Sequence, residues 1–122
     1  MGRITIVEDA LDDAEVFDIL LTSVGHKVQR FSSGTEFLES FRKGTMDLIL
    51  LDIGLPEVDG YEVFDRAKLV DSQIPIVAVT AYAYPHDVGK ILRYGFTAHI
   101  AKPIRDFNVF LGEISRCLRP PV

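Results

Sequence analysis

Leu48-Ile49-Leu50-Leu51-Asp52-Ile53-Gly54-Leu55-Pro56-Glu57-Val58-Asp59-Gly60 is the stretch whose reading decides the fold. Its four leading apolar residues show no polar alternation, which suits a strand covered on both faces. Asp52 directly follows that strand. Outward from it lie four more short apolar runs, Ile4 to Val7, Val28 to Phe31, Ile76 to Val79 and Ala98 to Ala101. The runs at Ile4 and Ile76 are almost wholly apolar, like the one at Leu48. Gln29, Arg30 and His99 interrupt the other two. The first group suits the interior of a sheet and the second its edges.

Between the runs, apolar residues recur at helical spacing. The stripes are Phe17, Leu20, Leu21 and Val24; Phe37, Leu38 and Phe41; Val63, Phe64 and Ala67; Val88, Ile91 and Leu92; and Phe107, Phe110, Leu111, Ile114 and Leu118. Gly25, Gly44 and Gly95 fall just after stripes, where a left-handed residue closes a helix. Asp12 is expected to cap the first helix, Ser33 with Glu36 the second and Asp59 the third, with Pro85 in the first turn of the fourth. Pro120 and Pro121 end the last. Strict alternation of strand and helix favours an α/β fold with a five-stranded parallel sheet and helices on both faces. The doubly wound, flavodoxin-like order 2-1-3-4-5 places the apolar runs inside and the interrupted runs outside.

That topology gathers residues far apart in the chain. The first strand ends in Glu8 and Asp9, the third in Asp52 and the fourth in Thr80, while Lys102 follows the fifth. All lie at the carboxyl edge of a parallel sheet, where open α/β sheets hold ligands. Three carboxylates together resist ionisation unless a cation joins them, and oxygen-only ligands suit a hard divalent ion such as Mg²⁺. Thr80 and Lys102 suit phosphoryl oxygens instead. A carboxylate can itself be the nucleophile, giving an aspartyl phosphate. Catalysis then needs only in-line positioning and neutralised charge. Singly, each residue has a plainer reading: Glu8 and Asp9 as cap or loop acids, Thr80 as a strand end, Lys102 as a surface charge. Their coincidence at four matched strand ends outweighs those readings.

Composition narrows the field. The chain has 122 residues, 48% of them hydrophobic, enough for one compact domain over 1–122 and too few for two. A net charge of -5 with scattered Lys and Arg argues against binding nucleic acid directly. No apolar stretch reaches the ~20 residues of a membrane span. The lone Cys117 and the lack of a signal-peptide layout after Met1 lead us to expect a cytoplasmic protein.

Along essentially its whole length the sequence resembles the receiver domain of two-component response regulators. Ile4-Thr5-Ile6-Val7-Glu8-Asp9 is similar to the first strand with its acidic pair. Asp47 to Gly60 is similar to the phosphoacceptor segment, Val77-Ala78-Val79-Thr80-Ala81 to the switch-threonine strand, and Lys102-Pro103 to the lysine followed by a cis proline. The resemblance implies that Asp52 accepts a phosphoryl group from a phosphohistidine on a sensor histidine kinase or phosphotransfer protein. Asp9, Asp52 and the Gly54 backbone carbonyl would ligate Mg²⁺ directly, and Glu8 through water. Lys102 would pair with phosphoryl oxygens, and Thr80 would hydrogen-bond the group and draw its loop inward. Such a module is no enzyme in the ordinary sense, since it catalyses only its own phosphorylation and dephosphorylation.

Two features depart from the family pattern, the switch position and the rim. His99 stands where the switch aromatic is expected. It reads either as a half-exposed imidazole on an edge strand or as a switch whose charge responds to pH. At the rim, Gly54 brings no side chain, whereas Tyr82 is expected either to hinder attacking water or to lie in solvent as a loop aromatic. As given, the sequence leaves no room for an effector domain after the fifth helix, so output is expected through contact with a downstream protein; a receiver cut from a longer regulator or a hybrid kinase is the alternative. The expected face comprises the fourth helix, fifth strand and fifth helix, with Tyr94, His99 and Phe107, although core packing is the first expectation for Phe107. A haloacid-dehalogenase-type phosphatase is the main rival. That chemistry needs a second Asp where Gly54 stands. A flavodoxin-like FMN binder would need a Ser/Thr/Gly-rich loop where Glu8, Asp9, Asp12 and Asp13 stand. A degenerate receiver serving only for docking is at odds with the complete set of site side chains.

Overall fold

The computed structural model describes residues 2–56, 58–81 and 85–120. Five strands, β1 (Arg3–Val7), β2 (Lys27–Phe31), β3 (Leu48–Asp52), β4 (Ile76–Thr80) and β5 (Ala98–Ala101), alternate with five helices. These are α1 (Leu11–Ser23), α2 (Gly34–Ser40), α3 (Gly60–Val70), α4 (Pro85–Tyr94) and α5 (Phe107–Cys117). The strands are all parallel, in the order β2-β1-β3-β4-β5. Every residue of β3 and β4 is buried, while β2 has none buried, with only Val28 and Phe31 half-buried. The apolar runs thus occupy the interior and the interrupted runs the edges.

Period-two alternation divides the strand side chains between two cores. Ile4, Ile6, Leu48, Leu50, Val77, Val79, Ala98 and Ile100 pack with Phe17 and Leu21 of α1 and Phe110 and Ile114 of α5. The Phe17 and Phe110 rings stack at 5.7 Å and join the two helices. On the opposite face Val7, Ile49, Leu51, Ile76 and Ala78 pack with Phe37, Val63, Phe64, Ala67 and Ile91 from α2, α3 and α4. Full burial of each of the Val, Leu, Ile and Phe side chains stabilises the fold by about 1.5–3 kcal/mol.

Ser33 and Asp59 cap α2 and α3, accepting from the Glu36 and Tyr61 amides at 3.1 and 2.9 Å. Gly25, Gly44 and Gly95 all take positive φ, although α2 ends at Ser40 and Gly44 therefore turns the loop beyond it. Four expectations need correction. Asp12 is not the cap of α1: the helix begins one residue earlier, with Ala10 as its cap residue, and Asp12 lies in the first turn. There its charge favours the helix dipole without a capping bond. Phe107 is 53% exposed at the start of α5, where the helix overhangs the core, rather than packed within it. Val24 and Leu92, at the margins of their stripes, are exposed as well. Tyr82, Glu57 and Pro121 lie outside the described residues.

Gly60 permits the close return of the chain after β3. A Cβ there would lie 2.4 Å from the Ile53 Cα, so the start of α3 packs directly on the backbone that follows Asp52. At the amino edge of the sheet Arg119 forms a bidentate pair with buried Asp71, tying the segment after α5 to the end of α3. That guanidinium first, and then the Gly44 and Gln73 amides, hold the Asp71 carboxyl down to about 2 against the effect of burial.

Candidate functional site

At the carboxyl edge, β1 carries the chain into Glu8 and Asp9, and β3 ends on Asp52. Each of these carboxylates has an oxygen within 4.8 Å of the others. Glu8 and Asp52 are buried and Asp9 is exposed, which makes a cup open on one side. Lys102, just beyond β5, crosses the edge to place Nζ 3.2 Å from Asp52 Oδ2, 2.8 Å from Glu8 Oε1 and 3.1 Å from Asp13 Oδ2. Asp52 Oδ1 accepts from the Gly54 amide at 2.8 Å. Both acceptor oxygens are therefore fixed in direction.

Electrostatics follow from that crowding. Burial first, and then a hydrogen bond shared with Asp52, push the Glu8 carboxyl up to about 8 against the pull of Lys102. Without a further cation the pocket keeps a proton on one acid. Burial disfavours the Lys102 charge, but the Glu8 and Asp13 hydrogen bonds and the Asp52 charge overcome it and raise its pKa. The ammonium stays charged throughout the physiological range.

Thr80 closes β4 and is buried; its carbonyl accepts from the Lys102 amide at 2.9 Å, so β4 and the segment after β5 are joined beside the site. A cavity of about 410 Å³ lies between the loop after β3 and α4, lined by Gly54, Tyr61, Thr80, Asp87 and Lys90. The Lys102–Pro103 peptide is cis, as the resemblance implied. His99 stands apart from the acidic cup. It pairs in register with Ala78, and its neighbours Ala98 and Ile100 belong to the opposite core, so its side chain lies on the α4 side of the sheet. It is half-buried, with Nε2 enclosed and without a hydrogen-bond partner, and burial lowers its pKa.

Asp13 is the site residue that the sequence reading passed over. Named there only among the acids that occupy the place of an FMN-binding loop, it is a direct partner of Lys102. The available signal was its place in the first turn of α1. Helical side chains lean toward the N-terminus, here toward the carboxyl edge of the sheet. The Gly54 amide was also missed, since only its carbonyl was given a role.

A family model described as the response regulator receiver domain matches residues 4–111. The chain belongs to the response regulator receiver domain family. The polar-differentiation response regulator DivK of Brucella anthropi is 41% identical over 103 residues, covering 83% of this chain and 84% of that protein. The receiver domain of a sensor histidine kinase from Pseudomonas aeruginosa, solved with a magnesium ion coordinated in its active site cleft, is similar at 28% identity and TM-score 0.83. That match covers 95% of this chain and 96% of the other. A CheY-like receiver from Methanospirillum hungatei gives a TM-score of 0.80 at 25% identity, covering 95% and 92%. Receiver domains are signalling modules of two-component systems. They typically bind Mg²⁺ at an acidic cluster, and Glu8, Asp9 and Asp52, offering only hard oxygen donors, fit such an ion.

Proposed function

We propose that this receiver domain, spanning residues 1–122, takes a phosphoryl group from a phosphohistidine of a sensor kinase or phosphotransfer protein onto Asp52, and so switches a protein-binding face. The observation that carries the reading is the reach of Lys102 from beyond β5 to Asp52 Oδ2, beside two further carboxylates. A lone surface lysine has no reason to be held there. Asp9, Asp52 and the Gly54 carbonyl would hold Mg²⁺ directly, with Glu8 acting through water. Bound there, the ion supplies positive charge against the phosphoryl oxygens.

In the transfer, a carboxylate oxygen of Asp52 forms a bond to phosphorus as the bond from phosphorus to the donor imidazole breaks. The electron pair of that bond stays on the imidazole nitrogen. Lys102 neutralises charge on the phosphoryl oxygens. The Thr80 hydroxyl, at the wall of the neighbouring cavity, turns to the phosphoryl group and draws its loop inward. His99 lies on the α4 side of β5 and takes the place of the switch aromatic. Output is through α4, β5 and α5, where Tyr94 and Phe107 are exposed. Tyr82 shields the acyl phosphate from water, with Gly54 as the open side of the rim. We place the protein in the cytoplasm; among the described residues no helix is long and apolar enough to cross a membrane.

Incubation with acetyl phosphate and Mg²⁺, followed by intact mass, tests the proposal. The protein should gain one phosphoryl group, labile in alkali, and Asp52→Asn should gain none. Uptake that persists undiminished in Asp52→Asn refutes it.

A further inference from the structure

Lys102 is held by more partners than a phosphoryl counter-ion requires. An ammonium has three N–H donors. Here they face Glu8 at 2.8 Å, Asp13 at 3.1 Å and Asp52 at 3.2 Å, so all are engaged. The three acceptors differ in setting. The side chains of Glu8 and Asp52 are 1% and 8% exposed, whereas that of Asp13 is 40% exposed at the mouth of the cup.

Resting on the phosphoacceptor reading above, we propose that Asp13 is a positioning residue that restrains Lys102 in the resting protein and slows phosphorylation of Asp52. A phosphoryl group arriving at Asp52 brings oxygens that need an N–H from Lys102, and one existing partner must give way. Releasing Glu8 would leave a buried polar group unpaired, which is costly. Asp13 loses little, because water replaces the ammonium at an exposed carboxylate. The Asp13 charge, partly exposed beside Lys102, also repels an anionic donor. Both effects raise the barrier to transfer, and both end when the charge is removed.

Phosphorylation rates with acetyl phosphate at saturating Mg²⁺ should be compared for wild type, Asp13→Asn, Asp13→Glu and Asp12→Asn. Asp13→Asn should react about three- to tenfold faster, as expected for one charge a few ångströms from the phosphoryl position at a partly solvated rim. Asp13→Glu restores the charge and should stay within about twofold of wild type. Asp12 is exposed and does not touch Lys102, so Asp12→Asn makes the same change in net charge and should also stay within about twofold. A second readout needs no metal. In EDTA at low temperature the Lys102 ammonium should give a protected ¹H–¹⁵N signal that broadens in Asp13→Asn and persists in Asp12→Asn.

An Asp13→Asn rate equal to or below wild type overturns the proposal. Equal acceleration in Asp12→Asn overturns it too, since net charge alone would then explain the effect, as does an unchanged ammonium signal in Asp13→Asn. If no variant, wild type included, takes up phosphate, the phosphoacceptor reading fails and the restraint fails with it.

Discussion

Glu8→Gln in metal-free protein isolates the electrostatic cost stored at the site. The Glu8 side chain is almost fully buried and its carboxyl is raised from 4.5 to about 8. Between those values the folded chain holds a proton that the unfolded chain has lost, so stability falls as pH rises. Integrating the linkage from pH 5 to 8.5 gives a loss of about 4 kcal/mol for the wild type, at about 1.36 kcal/mol per unit. Lys102 adds no slope in this window, because it is charged in both states. Asp71 is ionised in both states above pH 5 and likewise adds none. His26 and His99, both lowered by burial, act in the opposite direction below about pH 6.5. Their contribution is common to wild type and variant and cancels in the comparison. Gln keeps the size and the hydrogen-bonding character of the protonated acid but cannot ionise. Urea unfolding in EDTA at half-unit pH steps should show the wild type losing stability toward pH 8.5, with Glu8→Gln nearly flat above pH 6.5. A loss as large in Glu8→Gln as in wild type would refute the assignment of the proton to Glu8.

Other perturbations follow from the packing. Gly60→Ala should cost about 2–3 kcal/mol in chemical unfolding, because its Cβ meets the Ile53 backbone at 2.4 Å. Gly54→Ala should fold as wild type, its nearest neighbour being Asp52 Oδ1 at 3.4 Å. Arg119→Met should cost about 3 kcal/mol by leaving the buried Asp71 charge with only backbone amides. The wild type should also lose stability as pH falls from about 4 toward 2, through the lowered Asp71 carboxyl, and that loss should shrink in Arg119→Met. His99→Phe should stabilise the protein by about 1 kcal/mol at neutral pH, since it removes an enclosed nitrogen without a partner. A destabilised His99→Phe would show that the imidazole finds a partner in solution.

Much of this fold is legible in the chain because burial writes itself into composition. Leu48 to Leu51 and Ile76 to Val79 had to be apolar throughout to sit between two helical layers, and Gln29 and Arg30 could stand only on an edge strand. The parallel topology then brings Glu8, Asp9, Asp52 and Lys102 to one edge without any side-chain detail. What the chain does not announce is decided by angle and reach. Phe107 has the spacing of a core residue, yet it precedes Phe110 by nearly a full turn at the helix start, where half of it stays exposed. Asp12 has the right chemistry for a cap but falls one residue inside the helix. Asp13 finds Lys102 only because α1 begins at Leu11 and points its first turn at the site. The environment of His99 depends on which layer its strand position faces, and a four-residue strand with one polar residue does not reveal that.

The central claim is that the Asp52 carboxylate is the nucleophile, and borohydride trapping reads this directly. Reduction of an aspartyl phosphate converts the modified residue to homoserine, which peptide mass mapping locates. After acetyl phosphate and Mg²⁺, homoserine at position 52 alone is the predicted result. Homoserine at Asp9 or Asp13 in place of position 52, the one-carbon-longer 5-hydroxynorvaline at Glu8, or phosphate recovered on a histidine or hydroxyl, would contradict the account.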